Sequence, residues 1–359
     1  MAEALKFIQF GLGPIGLKIV RYLLERDNVE IETAIDIDPE KIGRDVGELL
    51  ETGKALGVTV TGNAEEALAN SKADVVVLST LSSFAKLGEQ IQLCIKHKKN
   101  VISSCEEMAF PWEEDFNRAL AIDKEAKEAG VTILSSGVNP GFAMDALPVF
   151  MTSVCQRVDS IRVERHQDAS LRRLPFQQKI GASLTVEEFE KKVKDGTVRH
   201  VGFTESVQMI ANAVGWKLDK VECDVLPAIA EQDVESQYMK VPKGQVAGVL
   251  QTARGFMEGK EVITLELQAY LGHKAPKDSI QIEGEPPVYS EVKGGFNGDI
   301  ATCAMIANCV PVVLRSEPGL KTMIDIGITS WFKGQIYGFR NSSSKKVNTQ
   351  TSFKMTIDD

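Results

Sequence analysis

The chain has 359 residues, 43% of them hydrophobic and 25% charged, with a formal net charge of -9 and a pI of about 5.2. That length favours two domains, because single cores rarely grow beyond ~250 to 300 residues, and the acidic balance excludes nucleic acid or an anionic membrane as the main partner, since both call for clustered basic surface. No apolar run approaches the roughly 20 residues that span a bilayer, and no signal-peptide pattern precedes the first strand, so a cytoplasmic location is expected.

In chain order, "LKFIQF" at residues 5–10 predicts a strand, and "GLGPIG" then opens an amphipathic run with Ile19, Val20, Leu23 and Leu24 on one face. "VEIETAIDID", "ADVVVLST", "NVISSC" and "VTILSSGVNPGF" are further short apolar runs, of the kind found in parallel sheets buried on both faces. Between them "AEEALAN", "GEQIQLCIKHKKN" and "FNRALAIDKEAKEAG" have helical periodicity, with Asn100 and Gly130 as C-terminal stops. This alternation predicts an α/β Rossmann domain over residues 1–145, built on a doubly wound parallel sheet.

The texture then changes. "DSIRVERH", "GQVAGVLQTARGF", "EVITLELQAYLG" and "DSIQIEG" alternate as strands with one open face, and two helices interrupt them. One starts at a capping box of Thr185 and Glu188, and the other runs along "TESVQMIANAVGW". Residues 146–298 are therefore expected to form an α+β domain with an open mixed sheet, for substrate binding and dimerisation. Residues 299–330 are expected to supply a buried helix, kinked or ended near Pro311, that returns to the first domain. Residues 331–359 read as a polar tail.

"GLGPIG" places Gly11, Gly13 and Gly16 in G-x-G-x-x-G order, with Leu12, Pro14 and Ile15 between them, directly after a strand and at the start of a helix. Gly11 allows the tight turn, Gly13 the close approach of a pyrophosphate, and Gly16 close helix packing. Asp36 ends the second strand, where an acid accepts from ribose hydroxyls and favours NAD, while Lys41 and Arg44 follow within reach of a 2′-phosphate. The preference between NAD and NADP stays open. Ser79, Thr80 and Leu81 end the "VVVLST" strand at the carboxyl edge of the sheet, where the cofactor lies.

"SSCEEM" ends another strand at the same edge. Glu106 is expected to face the nicotinamide and substrate, with its pKa raised by desolvation so that it serves as a base near neutral pH. Neighbouring residues of an extended chain point to opposite sides, so Glu107 is expected to cap the following helix at "PWEEDFNRAL" or to pair with a base. The six cysteines lack C-x-x-C spacing and the four histidines lack metal-ligand spacing, so no metal is expected.

"GLGPIG", "AIDIDPEKIGRDVGEL", "SSCEEMAFPW", "SSGVNPGFAMDALP", "RHQDASLRRLPFQQKIGASLT", "HVGFTESVQMIANAVGW" and "GGFNGDIATCAMIANCVPVVLRSEPGLKTMIDI" together resemble the 2,4-diaminopentanoate dehydrogenase family. Related NAD(P)-dependent amine dehydrogenases share the pattern, within the wider dihydrodipicolinate reductase-like group. The resemblance implies reversible oxidative deamination of a small amine or diamino acid to a ketone and ammonia, in a homodimer. Its catalytic glutamate matches Glu106, with Glu107 one residue away as the fallback. It further implies that Asn139, before Pro140, holds the carboxamide, although an Asx turn would also explain Asn139. By the same carry-over Asn308 meets the cofactor, although a helix side chain bonded to a neighbour would also explain it, and Val138, Phe142, Ala143, Met144 and Leu147 line the substrate pocket, where Phe142 and Met144 could equally be core. The resemblance also implies that Arg172, Arg173 and His200 close over the substrate, where an arginine would suit a carboxylate, although both arginines could equally be surface or interface residues.

"RHQDASLRRLPFQQKIGASLT" departs from dihydrodipicolinate reductase itself, since it has a single His166 and none of that enzyme's lysine motif. Two rivals stand beside this reading. One is an acylating aldehyde dehydrogenase using Cys105 or Cys155 as nucleophile. The other is a dinucleotide-binding sensor without turnover.

Overall fold

Apolar runs and capped amphipathic runs alternate along the first 135 residues, and strands and helices alternate with them. In order these are β1 (Leu5–Phe10), α1 (Pro14–Leu24), β2 (Val29–Ile35), α2 (Val46–Leu49), β3 (Val60–Thr61), α3 (Ala64–Asn70), β4 (Val75–Leu78), α4 (Phe84–Lys96), β5 (Asn100–Ser103), α5 (Phe116–Ala129) and β6 (Thr132–Ser135). The structure is a computed structural model and describes residues 4–334. The expected tail beyond residue 334 lies outside the described residues. Gly130 ends α5 in the left-handed conformation, at φ 72°. Asn100 is no helix stop: α4 ends at Lys96, and the Asn100 side chain instead ties β5 to its neighbours, donating to the Asp74 carbonyl and accepting from the Thr132 N–H.

The second half begins with α6 (Ala146–Met151), β7 (Arg157–Asp168), α7 (Leu174–Lys179), α8 (Val186–Lys194) and α9 (Phe203–Val214). It continues through β8 (Lys220–Ile229), β9 (Val234–Glu235), β10 (Lys240–Val241), β11 (Val246–Met257), β12 (Lys260–Tyr270), β13 (Lys277–Glu285) and β14 (Val288–Lys293). Thr185 and Glu188 form the capping box of α8. The chain then returns through α10 (Gly298–Val313) to β15 (Gly319–Lys321). Pro311 does not end α10, which runs on to Val313. Burial holds it there: Ile306, Val310 and Val313 pack without solvent exposure against Ile19, Val20 and Leu23 of α1 in one core. Truncating one such aliphatic side chain to Ala costs about 2 to 5 kcal/mol.

Seven parallel strands form the first sheet in the order β15-β6-β5-β4-β1-β2-β3. The chain leaves β1 toward β2 and later resumes on its other side at β4, so the switch point lies between β1 and β4. Ligands bind outside the carboxyl ends of strands at such a point. The second sheet has the order β14-β13-β7-β12-β11-β8 and is mixed, because β7 and β12 run parallel while the other pairs are antiparallel. Another core lies between that sheet and α9, where Val207, Ile210 and Ala211 meet Val249, Ala253 and Leu265. No helix among the described residues is long and apolar enough to cross a membrane.

Candidate active site

At the switch point the turn after β1 is shaped by glycine. Gly11 has φ 94°, and a Cβ there would come within 2.6 Å of the Ser79 carbonyl oxygen, while a Cβ on Gly16 would collide with the Gly11 carbonyl. Gly13 caps α1 with open space where its Cβ would be, so backbone N–H groups at the helix start are free to meet a phosphate. The Leu12 N–H donates to Asp36 Oδ2 at 2.6 Å, and the Asp38 N–H donates to Asp36 Oδ1 at 2.9 Å, which fixes the acid at the end of β2. Lys41 Nζ sits 3.5 Å from Asp36 and 3.1 Å from Asp38, and Arg44 pairs with Glu48 at 3.5 Å. Both bases are therefore occupied by carboxylates.

Ser79, Thr80 and Leu81 line a cavity of about 310 Å³ with Ile15, Val138 and Asn139. Asn139 is 8% exposed, yet neither its Oδ1 nor its Nδ2 has a hydrogen-bond partner. A buried amide with no partner costs about 1 to 3 kcal/mol, and no Asx turn satisfies this one. Together with the glycine cradle and Asp36, that unmet donor and acceptor fit a dinucleotide cofactor.

Glu106 lines the same cavity from the start of a 3-10 turn, Glu106–Met108, and not from an extended strand. The turn separates the two acids. Glu107 Oε2 accepts from the Phe84 N–H at 2.9 Å and so caps α4, the helix before it in the chain and not the one after. Lys179, the last residue of α7, places its Nζ 3.2 Å from Glu106 Oε1. Burial alone raises the Glu106 pKa, but the Lys179 charge and a Ser82 hydrogen bond outweigh it and hold the carboxyl below its ordinary value. The expectation of a raised pKa is thus overturned by a lysine from the second half of the chain.

His200 lines the cavity as a neutral imidazole. Burial first, then the Lys179 charge, press its pKa down to about 3, and Nδ1 lies 2.9 Å from the Val201 carbonyl, which places the ring proton there. Gln251 clamps the His200 backbone, accepting from its N–H at 2.7 Å and donating to its carbonyl at 2.9 Å.

Arg172 and Arg173 line the cavity and converge on Asp299. Arg172 donates Nε and Nη2 to its two oxygens, each at 3.1 Å, and Arg173 donates Nε at 3.0 Å. Arg165, which the sequence did not single out, joins them from β7, bound to Asp278 at 2.7 Å and 1% exposed. Four cations, counting Lys179, face two carboxylates, Glu106 and Asp299.

Other expected positions fall elsewhere. Phe142, Ala143, Met144 and Leu147 belong to the core of the second half, because the chain leaves the cavity at Gly141 (φ 119°) and turns onto α9. Asn308 faces away, accepting from Arg26 at 3.5 Å. Cys105 is 1% exposed, its thiol is pushed up to about 12 by burial, and its Sγ donates to the Ser82 carbonyl. Cys155 Sγ meets the Pro286 carbonyl. Neither lines the cavity, so neither is poised as a nucleophile.

The chain matches known proteins over most of its length. Residues 142–342 match the 2,4-diaminopentanoate dehydrogenase C-terminal domain, and residues 6–105 match the dihydrodipicolinate reductase N-terminus. It is 33% identical to a 2,4-diaminopentanoate dehydrogenase of Acetoanaerobium sticklandii, over 96% of this chain and 99% of that one. It is 21% identical to an amine dehydrogenase of Streptomyces virginiae, over 89% and 95% of the two chains. Its fold matches that of an amine dehydrogenase from Mycobacterium smegmatis at a TM-score of 0.83, with 23% identity, over 92% of this chain and 98% of the other. With one relative at 33% identity along nearly the whole chain and a family domain spanning more than half of it, the chain belongs to the 2,4-diaminopentanoate dehydrogenase family of NAD(P)-dependent amine dehydrogenases.

Proposed function

We propose that this protein oxidatively deaminates a small amine bearing a carboxylate, such as 2,4-diaminopentanoate, with NAD(P) as acceptor and Glu106 as base. The observation that carries the reading is a single cavity holding the Glu106 carboxylate and the unpartnered Asn139 amide at the carboxyl ends of neighbouring strands. Gly11 to Gly16, Asp36 and Asn139 would hold the cofactor, which supplies the hydride acceptor. Both acids at the ribose end, Asp36 and Asp38, oppose a 2′-phosphate and already engage Lys41, which favours NAD over NADP.

Only a neutral amine can expel hydride, whereas a free alkylammonium has a pKa of roughly 10. The surplus of positive charge in the cavity lowers that value, and Glu106 takes the proton. Its side chain is 23% exposed, so it passes the proton to water and is ionised again as the iminium charge develops beside it. Arg173 uses only Nε on Asp299, which leaves its terminal nitrogens for a substrate carboxylate.

Initial rates of nicotinamide reduction with 2,4-diaminopentanoate and with pentan-2-amine test the reading. The diamino acid is expected to give the higher kcat/KM, and Arg173→Met to narrow the gap. A protein that reduces neither cofactor with either amine refutes the proposal.

We infer further that two copies pair through the open face of the second sheet, where Leu226 is 58% and Tyr289 62% exposed beside the charged ladder of Arg162, Glu164 and Glu266. Amphipathic strands with such a face suit a symmetric partner.

A further inference from the structure

Deamination has a second half that hydride transfer does not cover. Water must add to the iminium, and the resulting carbinolamine must lose ammonia. The collapse needs a base on the hydroxyl and an acid on the nitrogen at the same moment. One carboxyl group cannot be both. The cavity supplies two groups within a hydrogen bond of each other, Glu106 and Lys179, with Nζ to Oε1 at 3.2 Å and both lining the same space.

Resting on the amine dehydrogenase reading, we propose that Lys179 is a catalytic residue, the general acid that protonates the departing nitrogen while Glu106 removes the hydroxyl proton. In the collapse the Lys179 ammonium gives one proton to the carbinolamine NH2 group. The C–N bond breaks with its electron pair on nitrogen, the O–H electrons form the C=O bond, and the O–H proton goes to the Glu106 carboxylate. The products are ketone, neutral ammonia, Lys179 amine and Glu106 carboxylic acid, so net charge is unchanged. One proton crossing back along the Glu106–Lys179 hydrogen bond resets the pair. In reductive amination the same two groups run in reverse, with the Lys179 amine taking a proton as ammonia adds.

Placement supports this division of labour. Lys179 comes from the end of α7 in the second half of the chain, while Glu106 comes from the first sheet, so the pair is assembled only when both halves enclose the cavity. The Lys179 side chain is 33% exposed and the Glu106 side chain 23%, which leaves a route for ammonia to leave and water to enter.

Lys179→Arg separates charge from proton donation, because an arginine keeps the positive charge but does not give up its proton in proteins. Two readouts are taken on a variant whose melting temperature matches wild type. One is stopped-flow nicotinamide reduction by the amine. The other is loss of oxygen-18 from the labelled ketone product in the presence of ammonia and oxidised cofactor, where no hydride moves. In K179R the first turnover is expected within about threefold of wild type, followed by a steady rate on the order of 100-fold lower. A burst of one cofactor per site should appear, and oxygen exchange should fall by a similar factor. K179M should lose the exchange as well. If K179R restores wild-type exchange, or slows the first turnover without a burst, Lys179 merely holds Glu106 and the proposal is wrong. A wild type that reduces no cofactor with any amine contradicts the amine dehydrogenase reading instead.

Discussion

Asn139 shows how much a single residue reveals. Its amide is buried with donor and acceptor unmet, which costs the free protein stability, so Asn139→Ala is expected to raise the melting temperature by about 1 to 4 °C. Titration of nicotinamide cofactor, by contrast, should show binding weakened about 10- to 100-fold. His200 carries a pH prediction. Its folded pKa lies near 3, below the ordinary 6.5, so between those values the unfolded chain binds more protons and stability rises with pH. Melting temperature should therefore fall as pH drops below about 6.5, and His200→Gln should flatten that slope. The place of Glu106 in the cavity was legible because it follows the carboxyl end of a parallel strand, where ligands bind. Lys179 was not, because its partner lies 73 residues earlier and only the docking of α7 joins them.

Among the elements, the contact of Gly202 with Pro140 ties the start of α9 to the Asn139 loop. Gly202 has φ 98°, and a Cβ on it would meet the proline ring at 2.5 Å. Gly202→Ala is expected to cost about 1 to 3 kcal/mol in chemical denaturation. Weaker cofactor binding should accompany that loss, because the displaced proline carries Asn139 with it. Periodicity disclosed the buried strands of the first sheet and the capped helices well. It missed β8, where Pro227 argues against a strand; the proline is tolerated because β8 is an edge. It also missed β14, the opposite edge, where exposed residues dilute the apolar signal. Position in the sheet, which one segment does not encode, decided both.

At the scale of the whole molecule, two sheets meet over one cavity, joined by the Asn139 loop on one side and the Asp299 clamp on Arg172 and Arg173 on the other. The change of texture near residue 145 made the two halves legible. What it hid was the convergence of four cations and two acids, since those side chains come from segments far apart in sequence. Sedimentation should find a dimer, and Leu226→Asp should weaken it at least about tenfold if the open face is the interface. An unchanged dimer would place the contact elsewhere.

The most direct test of Glu106 as base is single-turnover nicotinamide reduction by 2,4-diaminopentanoate, followed across pH for wild type and Glu106→Gln at saturating cofactor. Wild type should react fast at neutral pH. The variant should be slower by about 100-fold or more there and gain about tenfold per pH unit toward the amine's own pKa of roughly 10, because only pre-formed neutral amine can react. A variant with the wild-type rate and the wild-type pH profile would contradict the account.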